Sequence, residues 1–493
     1  MNAASATLAA WARMRLLCFA LALLPLLLAP VALAQAPLNL RLTSNGAISY
    51  TSQNGRWCVA ATGDTVHVVW WDYRDGNWEV YYLRSLDGGS TWGPETRLTN
   101  DAGASQYPSV AVSGTTVHVV WWDTRDGNKE IYYKRSTDAG ANWGPDTRLT
   151  IDASDSYHPV IAASGAVLHV AWYDLRGGNR EIYYKRSLDG GATWGPDTRL
   201  TIDAADSMYP SLAVSGSTVH VVWYDGRDGN AEIYTKRSVD AGATWGADTR
   251  LTYDAGGSAY PSVAAVGSNV HVVWWDDRDG NREIYYKRST DGGDTWGTDQ
   301  RLTNDSHVSF CPSVAATDAV VQVVWYDNRD GNFEIYWKRS PNAGTGWGPD
   351  TRLTNNASAS EYPSVAVSGS AVHAVWQDNR DGNYEIYYWH DPTGNVVGVP
   401  GALAPPVRCA LAPNRPNPFG RSTLIAFEVP QPGPVTLKVY DLSGREVATL
   451  VDEVLEPGPQ AVRFEGGGLP SGVYTVRLAT IGGHASRRLV LLR

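Results

Sequence analysis

Apolar and polar positions recur along this chain with a long period. The stretch at residues 117–136, VHVVWWDTRDGNKEIYYKRS, occurs seven times, and the Trp that ends its first apolar run stands at Trp70, Trp121, Trp172, Trp223, Trp274, Trp325 and Trp376, every interval being 51 residues. So strict a period marks one supersecondary unit copied seven times. VHVVWW and EIYYKRS are rich in β-branched and aromatic residues, and the Asp-Gly-Asn between them is a hairpin turn signal.

The second copy shows the full unit. Residues 107–113 (YPSVAVS) predict a first strand, 117–122 a second, 130–136 a third and 147–150 a short fourth. Four short strands with tight turns in about 50 residues make one antiparallel sheet, the size of a propeller blade. Arg-Leu-Thr closes six units, at Arg97, Arg148, Arg199, Arg250, Arg301 and Arg352, but the seventh copy lacks it. One orphan copy, Arg41-Leu42-Thr43, precedes the first unit. An open solenoid has no use for such a split; a ring does, because the N-terminal strand completes the last blade and ties the ends together. The expected architecture is all-β: a seven-bladed β-propeller over residues 35–391. The second strand is apolar on both faces, as suits a blade sandwiched between two others, and the paired aromatics of each hairpin fill the wedge between blades.

Residues 392–412 are rich in Gly, Pro and Ala and predict a linker. Residues 413–493 carry no copy of the repeat; short alternating runs separated by Pro and Gly predict a small Ig-like β-sandwich. At the other end, residues 1–34 have a positive n-region (Arg13, Arg15), an apolar run from Leu16 to Leu28 and Ala32-Leu33-Ala34, the pattern of a secretory signal. No later segment is long and apolar enough to cross a bilayer as a helix.

The 21 Trp and 26 Tyr against 6 Phe and 3 Met suit an all-β chain, and a net charge of −10 argues against a nucleic-acid partner. Beyond the signal, Cys58, Cys311 and Cys409 form neither a disulfide framework nor a metal pattern. The His before each Val-Val-Trp run (His67, His118, His169, His220, His271, His373, with Gln322 in the sixth copy) cannot converge on one ion from seven points of a ring, so structural hydrogen bonding is expected and neither metal nor cofactor is.

The turn after the third strand reads Ser-x-Asp-x-Gly-x-x-Trp. It stands at Ser85/Asp87/Gly89/Trp92, Ser136/Asp138/Gly140/Trp143, Ser187/Asp189/Gly191/Trp194, Ser238/Asp240/Gly242/Trp245 and Ser289/Asp291/Gly293/Trp296, with a degenerate sixth at Ser340/Asn342/Gly344/Trp347. Asp and Ser hydrogen-bond turn amides, Gly supplies positive φ, and Trp pins the turn to the sheet. The motif resembles the Asp box, or bacterial neuraminidase repeat, of sialidases and related propellers. That resemblance implies a structural turn on the face opposite the active site. It does not imply sialidase activity, which needs an arginine triad, a Tyr nucleophile with a Glu partner and an Asp acid/base; here Arg, Asp, Glu and Tyr recur in every blade at the same slots.

On the opposite face lies Asp-x-Arg-Asp-Gly-Asn-x-Glu, with Arg74, Arg125, Arg176, Arg227, Arg278, Arg329 and Arg380. These seven could form a ring for acidic or hydroxyl-rich ligands, or an Arg–carboxylate lock that fixes each hairpin. The hairpin-tip slot varies (Trp78, Lys129, Arg180, Ala231, Arg282, Phe333, Tyr384), and Trp78, Phe333 and Tyr384 could stack on sugar rings. The slot before Pro varies too: Arg56, Tyr107, His158, Tyr209, Tyr260, Cys311 and Tyr362.

In the C-terminal unit, residues 414–419 (NRPNPF), 439–447 (VYDLSGREV), 469–474 (LPSGVY) and 487–493 (RRLVLLR) together resemble the type A C-terminal sorting domain of type IX secretion, related to flagellar-hook-cap immunoglobulin-like domains. The resemblance implies a secretion-machinery partner, export across the outer membrane, and release or surface attachment. The expectation is a monomeric, secreted or cell-surface propeller that binds glycans or surface polymers; the alternatives are a sialidase-like exo-glycosidase and a structural or adhesion scaffold.

Overall fold

A computed structural model of the chain describes residues 39–52, 57–394, 410–411, 414, 416–429, 433–455, 458–480 and 483–492. The expected signal segment and most of the expected linker lie outside the described residues. Seven antiparallel sheets follow one another. Blade two is representative: Ser105–Ser113, Thr116–Asp123, Glu130–Ser136 and Thr147–Arg148. The predicted fourth strand ends two residues early, because the Thr150 side chain takes over from the backbone ladder. Its hydroxyl accepts the Ile131 N–H at 2.8 Å and donates to Glu130.

The first strands of all seven blades stand side by side around a cavity of about 250 Å³ lined by small apolar side chains such as Val110, Ala162, Ala213, Ala264, Ala315 and Val365. Serine hydroxyls stitch this inner ring: Ser109, Ser211, Ser262 and Ser313 accept the N–H of Ile161, Val263, Val314 and Val365 in the next blade, and Ser364 accepts that of Cys58. Blade three has Val160 at this slot and makes no such bond. The second strands are buried on both faces, and the seven repeat tryptophans are fully buried, each indole N–H held by the Asp two residues on.

The ring closes as the orphan segment predicts. Leu40–Arg41 pairs antiparallel with the third strand of blade seven, Glu385–Asp391, with Leu40 opposite Tyr388 and Arg41 opposite Tyr387. Arg41 donates to Glu385 at 2.8 Å and the Thr43 hydroxyl accepts the Ile386 N–H at 2.8 Å. Arg148 and Thr150 make the same pair of contacts in blade two. Lysines clamp successive blades: Lys134, Lys185, Lys236, Lys287 and Lys338 donate to Leu98, Leu149, Leu200, Leu251 and Leu302 of the blade before. Trp389 fills the lysine slot in blade seven, and there the N-terminal segment substitutes, Asn39 donating to the Leu353 carbonyl at 3.1 Å.

Blade one departs from the repeat. Its first strand is split into Ser49–Tyr50 and Val59–Thr62. Nine positions separate Tyr50 from Val59, whereas four separate the matching Gln106 and Val110. The chain is therefore five residues longer between these two paired segments than in blade two. Arg56, expected to match Tyr107, lies outside the described residues, and the register puts Thr51 next after Tyr50 at the position of Tyr107.

The C-terminal unit is a two-sheet β-sandwich. Ala410–Leu411, Ser422–Val429 and Gly458–Glu465 form one sheet; Glu446–Leu455, Gly433–Tyr440, Gly472–Thr480 and Gly483–Leu491 form the other. Ile425, Phe427, Leu437, Val439, Phe464, Val476 and Leu489 fill the core between them. Phe419 of the NRPNPF stretch is buried there and bonded to the last strand through Val490 and Leu492. Tyr474 is pinned by its hydroxyl to the Pro470 carbonyl at 2.8 Å. Among the described residues no helix is long and apolar enough to cross a membrane.

Candidate functional site on the hairpin face of the propeller

The antiparallel register assigns the loops to two faces. The turn between strands one and two and the Ser-x-Asp-x-Gly-x-x-Trp turn open on one face; the hairpin between strands two and three and the link into the next blade open on the other. On the first face, Ser136 accepts the Gly140 N–H at 2.8 Å and donates to Asp138 at 2.7 Å, and Asp138 accepts the Asn142 N–H at 2.8 Å. Hydrogen bonds from Thr91, then from Ser85, hold the exposed Asp87 carboxyl down at about 2. The sixth turn keeps this scheme without the charge. Its Asn342 is exposed, and the amide oxygen accepts the Ser340 hydroxyl at 2.9 Å and the Gly346 N–H at 2.8 Å.

The Trp of each turn, expected to pin it to the sheet, is half-buried, and in five turns its ring meets a Tyr of the preceding blade. Trp92 meets Tyr388 of blade seven edge-on, centroids 4.8 Å apart. Trp143 meets Tyr82 at 4.9 Å, Trp194 meets Tyr133 at 5.0 Å, Trp245 meets Tyr184 at 4.8 Å and Trp347 meets Tyr286 at 5.0 Å. Trp347 also donates to Gln300 of the blade before at 3.1 Å. Trp296 differs, because blade four carries Thr235 where five blades have Tyr and blade six has Trp337; it packs at the edge of the apolar cluster that holds Val222, Leu251 and Val270. The physical reason is the length of the fourth strand. Two residues, such as Thr147–Arg148, leave little of the blade's own sheet beside the turn.

On the hairpin face the seven repeat arginines are held within their own blades. Arg125 donates from Nη2 to Asp123 at 2.6 Å and from Nη1 to Asp146 at 2.8 Å, with its guanidinium over the Tyr132 ring at 4.4 Å. Asp123 is fully buried and also accepts Ser105 at 2.8 Å. Burial alone would raise its carboxyl; the bonds from Arg125 and Trp121 more than offset this and leave it below its ordinary value. Arg74, Arg176, Arg227, Arg278 and Arg329 repeat the double pairing, and among the described residues Arg380 pairs with Asp378 alone. An external anion would have to displace a buried internal carboxylate from each.

What faces the channel mouth instead is aromatic. In six blades the inner strand has a bulge before its Pro, and the residue there sits in the left-handed region: Tyr107 (φ 54°), His158 (50°), Tyr209 (52°), Tyr260 (53°), Cys311 (44°) and Tyr362 (52°). Side chains other than glycine rarely adopt this conformation, and a residue before proline is pushed toward extended backbone. The bulge brings successive rings together around the mouth: Tyr107 to His158 at 4.3 Å, His158 to Tyr209 at 4.7 Å, Tyr209 to Tyr260 at 4.6 Å. Burial pushes the His158 imidazole down to about 3, so it is neutral. Behind this collar stand Trp71, Trp122, Tyr173, Tyr224, Trp275 and Tyr326 of the second strands, with Gln377 in blade seven.

The tip residues extend the collar outward, unevenly. At the junction of blades seven and one, Tyr50 packs on Trp71 (4.9 Å), Trp78 (5.8 Å) and Tyr384 (5.4 Å), and the half-exposed Tyr73 on Trp78 (4.9 Å). Phe333 lies against Phe310 and Tyr326. Trp78, Phe333 and Tyr384 therefore belong to one aromatic half of the face. In its midst is Glu361, whose carboxyl burial raises, with Tyr384 donating to it at 3.1 Å. Blades two, three and five carry cations at the tip slot: Lys129 lies over Trp122 and Tyr157, Arg180 pairs with Asp206, and Arg282 lies over Trp275. Sequence reasoning missed the collar's geometry and Glu361. The signals were the X-Pro slot, aromatic or His in most copies, and a Glu where Gln106, Tyr157, Met208, Ala259 and Phe310 stand in the other blades.

The histidines before each Val-Val-Trp run are buried between strands. His118 bonds the Tyr133 hydroxyl at 2.8 Å, and blade six replaces the pair by Gln322 and Trp337 at 2.7 Å. Cys58 and Cys311 are buried thiols. Among the described residues no group of three or more His, Cys, Asp or Glu is placed to hold a metal ion.

No family model matches the sequence, and no curated protein matches it. Solved structures do resemble it. A polysaccharide lyase, Uly1, superposes with a TM-score of 0.50 at 9% identity, over 72% of this chain and 98% of that one. Weaker likenesses are a Fusarium graminearum α-L-arabinofuranosidase (TM-score 0.43, 15% identity, 62% of this chain and 98% of that one) and a Trypanosoma rangeli sialidase (TM-score 0.41, 13% identity, 80% and 85%). The first establishes a shared propeller fold and, at that identity, nothing of activity.

Proposed function

We propose that the hairpin face of the propeller binds carbohydrate. The observation that carries this reading is the collar of rings at Tyr107, His158, Tyr209, Tyr260 and Tyr362, half-buried at its tyrosines and built on a left-handed residue repeated in six blades. Local backbone strain of this kind costs on the order of 1–3 kcal/mol per residue and is characteristic of binding sites. Rigid Tyr and Trp rings with polar tips suit the apolar faces and hydroxyl rims of sugar rings. That the structural neighbours are described as a polysaccharide lyase and glycosidases fits this reading without carrying it. A glycan array probed with the purified protein tests it: retention of defined oligosaccharides, weakened at least tenfold by Trp78→Ala or Tyr384→Ala, is expected, and an array with no retained glycan refutes it.

One observation favours a second reading, a glycosidase. Glu361 is raised by burial, as a general acid would be. Glycoside hydrolysis needs a second carboxylate, and the partners of Glu361 are Tyr384 and Gln377. Turnover of a fluorogenic sialoside, lost in Glu361→Gln, would establish it.

The signal pattern and the C-terminal motifs add a location. We propose export and then release or surface attachment, directed by residues 413–493. Truncation before residue 413 should hold the protein inside the envelope of its native host; unchanged export of the truncated chain would refute this.

A further inference from the structure

We infer that blade five carries a receptor for a ligand carboxylate, formed by Arg282 and its own backbone N–H, so that the saccharide taken by this face is an acidic one. The molecule itself supplies the template. In blade three the Arg180 N–H donates to Asp206 Oδ1 at 2.9 Å and Arg180 Nη1 to Asp206 Oδ2 at 2.7 Å. In blade two the Lys129 N–H donates to Asp155 Oδ1 at 2.9 Å, with Nζ 4.0 Å from Oδ2. A tip cation and its own amide thus grip one carboxylate from the link into the next blade. Blade five keeps the cation and loses the carboxylate: Val308 stands where the repeat has Asp155 and Asp206. Blade four loses both members, with Ala231 and Gly257, and blades one and six have aromatics opposite Ala104 and Ala359.

Arg282 is nonetheless held in place. Its guanidinium lies over Trp275 at 4.4 Å and over Phe310 at 4.8 Å. Among the described residues it is the one Arg or Lys of the hairpin face with no carboxylate within ion-pair distance. A guanidinium braced between two rings, half-exposed, beside an amide that the other copies show to be a carboxylate donor, is pre-organised for bidentate charge-assisted binding. Phe310 adjoins it and, with Phe333 edge-on beside that ring, offers the sugar an apolar surface. The inference rests on the carbohydrate reading of this face and names its substrate class: saccharides bearing carboxylates, such as uronates.

The test uses the full chain, trigalacturonate and its methyl ester, which keeps the sugars and removes the charge, followed by calorimetry. The expectation is binding of trigalacturonate at least tenfold tighter than of the ester. Arg282→Gln should abolish that preference. Val308→Asp should abolish it too, by supplying the internal carboxylate while leaving Arg282 in place; two blades already tolerate Asp there, so its melting temperature should match the parent. Asp206→Val should open a second receptor and raise the stoichiometry from one to two. Equal affinity for acid and ester, no binding of trigalacturonate, or unchanged binding by Val308→Asp overturns the inference. The two readings fail separately: neutral glycans retained on the array with no acid preference leave the carbohydrate reading standing, whereas glutarate binding abolished by Val308→Asp, with no saccharide retained, leaves a carboxylate receptor but overturns its assignment to acidic saccharides.

Discussion

The Tyr82 hydroxyl of blade one lies where a side chain on Gly140 of blade two would have to be: a Cβ built on Gly140 overlaps it. The same contact joins Tyr133 to Gly191, Tyr184 to Gly242, Tyr286 to Gly344 and, across the closure, Tyr388 to Gly89. The glycine of each turn is thus fixed twice, by positive φ and by the neighbouring blade. Blade four has Thr235 in place of this Tyr, and the nearest atom to a Cβ on Gly293 is His220 Cε1, at 3.0 Å. Gly140→Ala should therefore cost about 3 kcal/mol and Gly293→Ala about 1 kcal/mol, combining backbone strain with overpacking in the first case. Urea unfolding of the two variants measures the difference; equal losses would mean that the contact across blades is not limiting.

Trp223 is fully buried, and its indole N–H donates to Asp225 at 3.0 Å. Trp223→Ala leaves a cavity and removes a donor from a buried carboxylate, so it should cost about 3–5 kcal/mol. An unchanged melting temperature would contradict the packing described.

Arg125→Ala leaves Asp123, fully buried, without its cation. Breaking a buried pair from one side costs about 3–5 kcal/mol. The expected phenotype is a lower urea midpoint with saccharide affinity unchanged in the protein still folded. Lost affinity at full stability would make the arginine ring a ligand site.

Acid should destabilise the ring through its histidines. Burial, with a lesser contribution from a nearby cation, pushes His67, His118, His169, His220, His271 and His373 down to about 4. In the unfolded chain they titrate near their ordinary value of about 6.5. Between these two values the unfolded state binds more protons, so stability falls as pH drops from about 6.5 toward 4, by up to about 1.4 kcal/mol per pH unit for each histidine. Thermal melts at pH 7.5, 6 and 5 should show a steepening decline. His118→Gln with Tyr133→Trp, the pairing of blade six, should take up about one proton fewer on unfolding. A melting temperature constant from pH 7.5 to 5 would exclude buried neutral histidines.

The fold was legible because seven copies report the same constraint: the 51-residue interval between Trp70 and Trp121 set the blade, and Arg41-Leu42-Thr43 announced the closure. The insertion in blade one was legible too, since Arg41 stands 56 residues before Arg97 rather than 51. The site was less so. Tyr-Pro in Tyr107-Pro108 reads as extended backbone, and only the bulge between Gln106 and Ser109 turns the ring toward the channel mouth. Nothing within one copy points to the partner of Lys134, the Leu98 carbonyl of another blade. The ring partner of Trp92, Tyr388, stands at the far end of the propeller sequence. A repeat shows which residues recur, but not whether a recurring pair meets inside one blade or across two.

The pairing of Leu40 with Tyr388 also sets an order of events. Leu40 is among the first residues of the propeller to be synthesised, and its partner follows 348 positions later. At about 5–20 residues per second that interval is roughly 20–70 s. Throughout it the first segment has no strand to join and the forming blades have two open flanks. The chain must therefore be kept from pairing with other chains until blade seven emerges, and any truncation ahead of Tyr388 makes that exposure permanent.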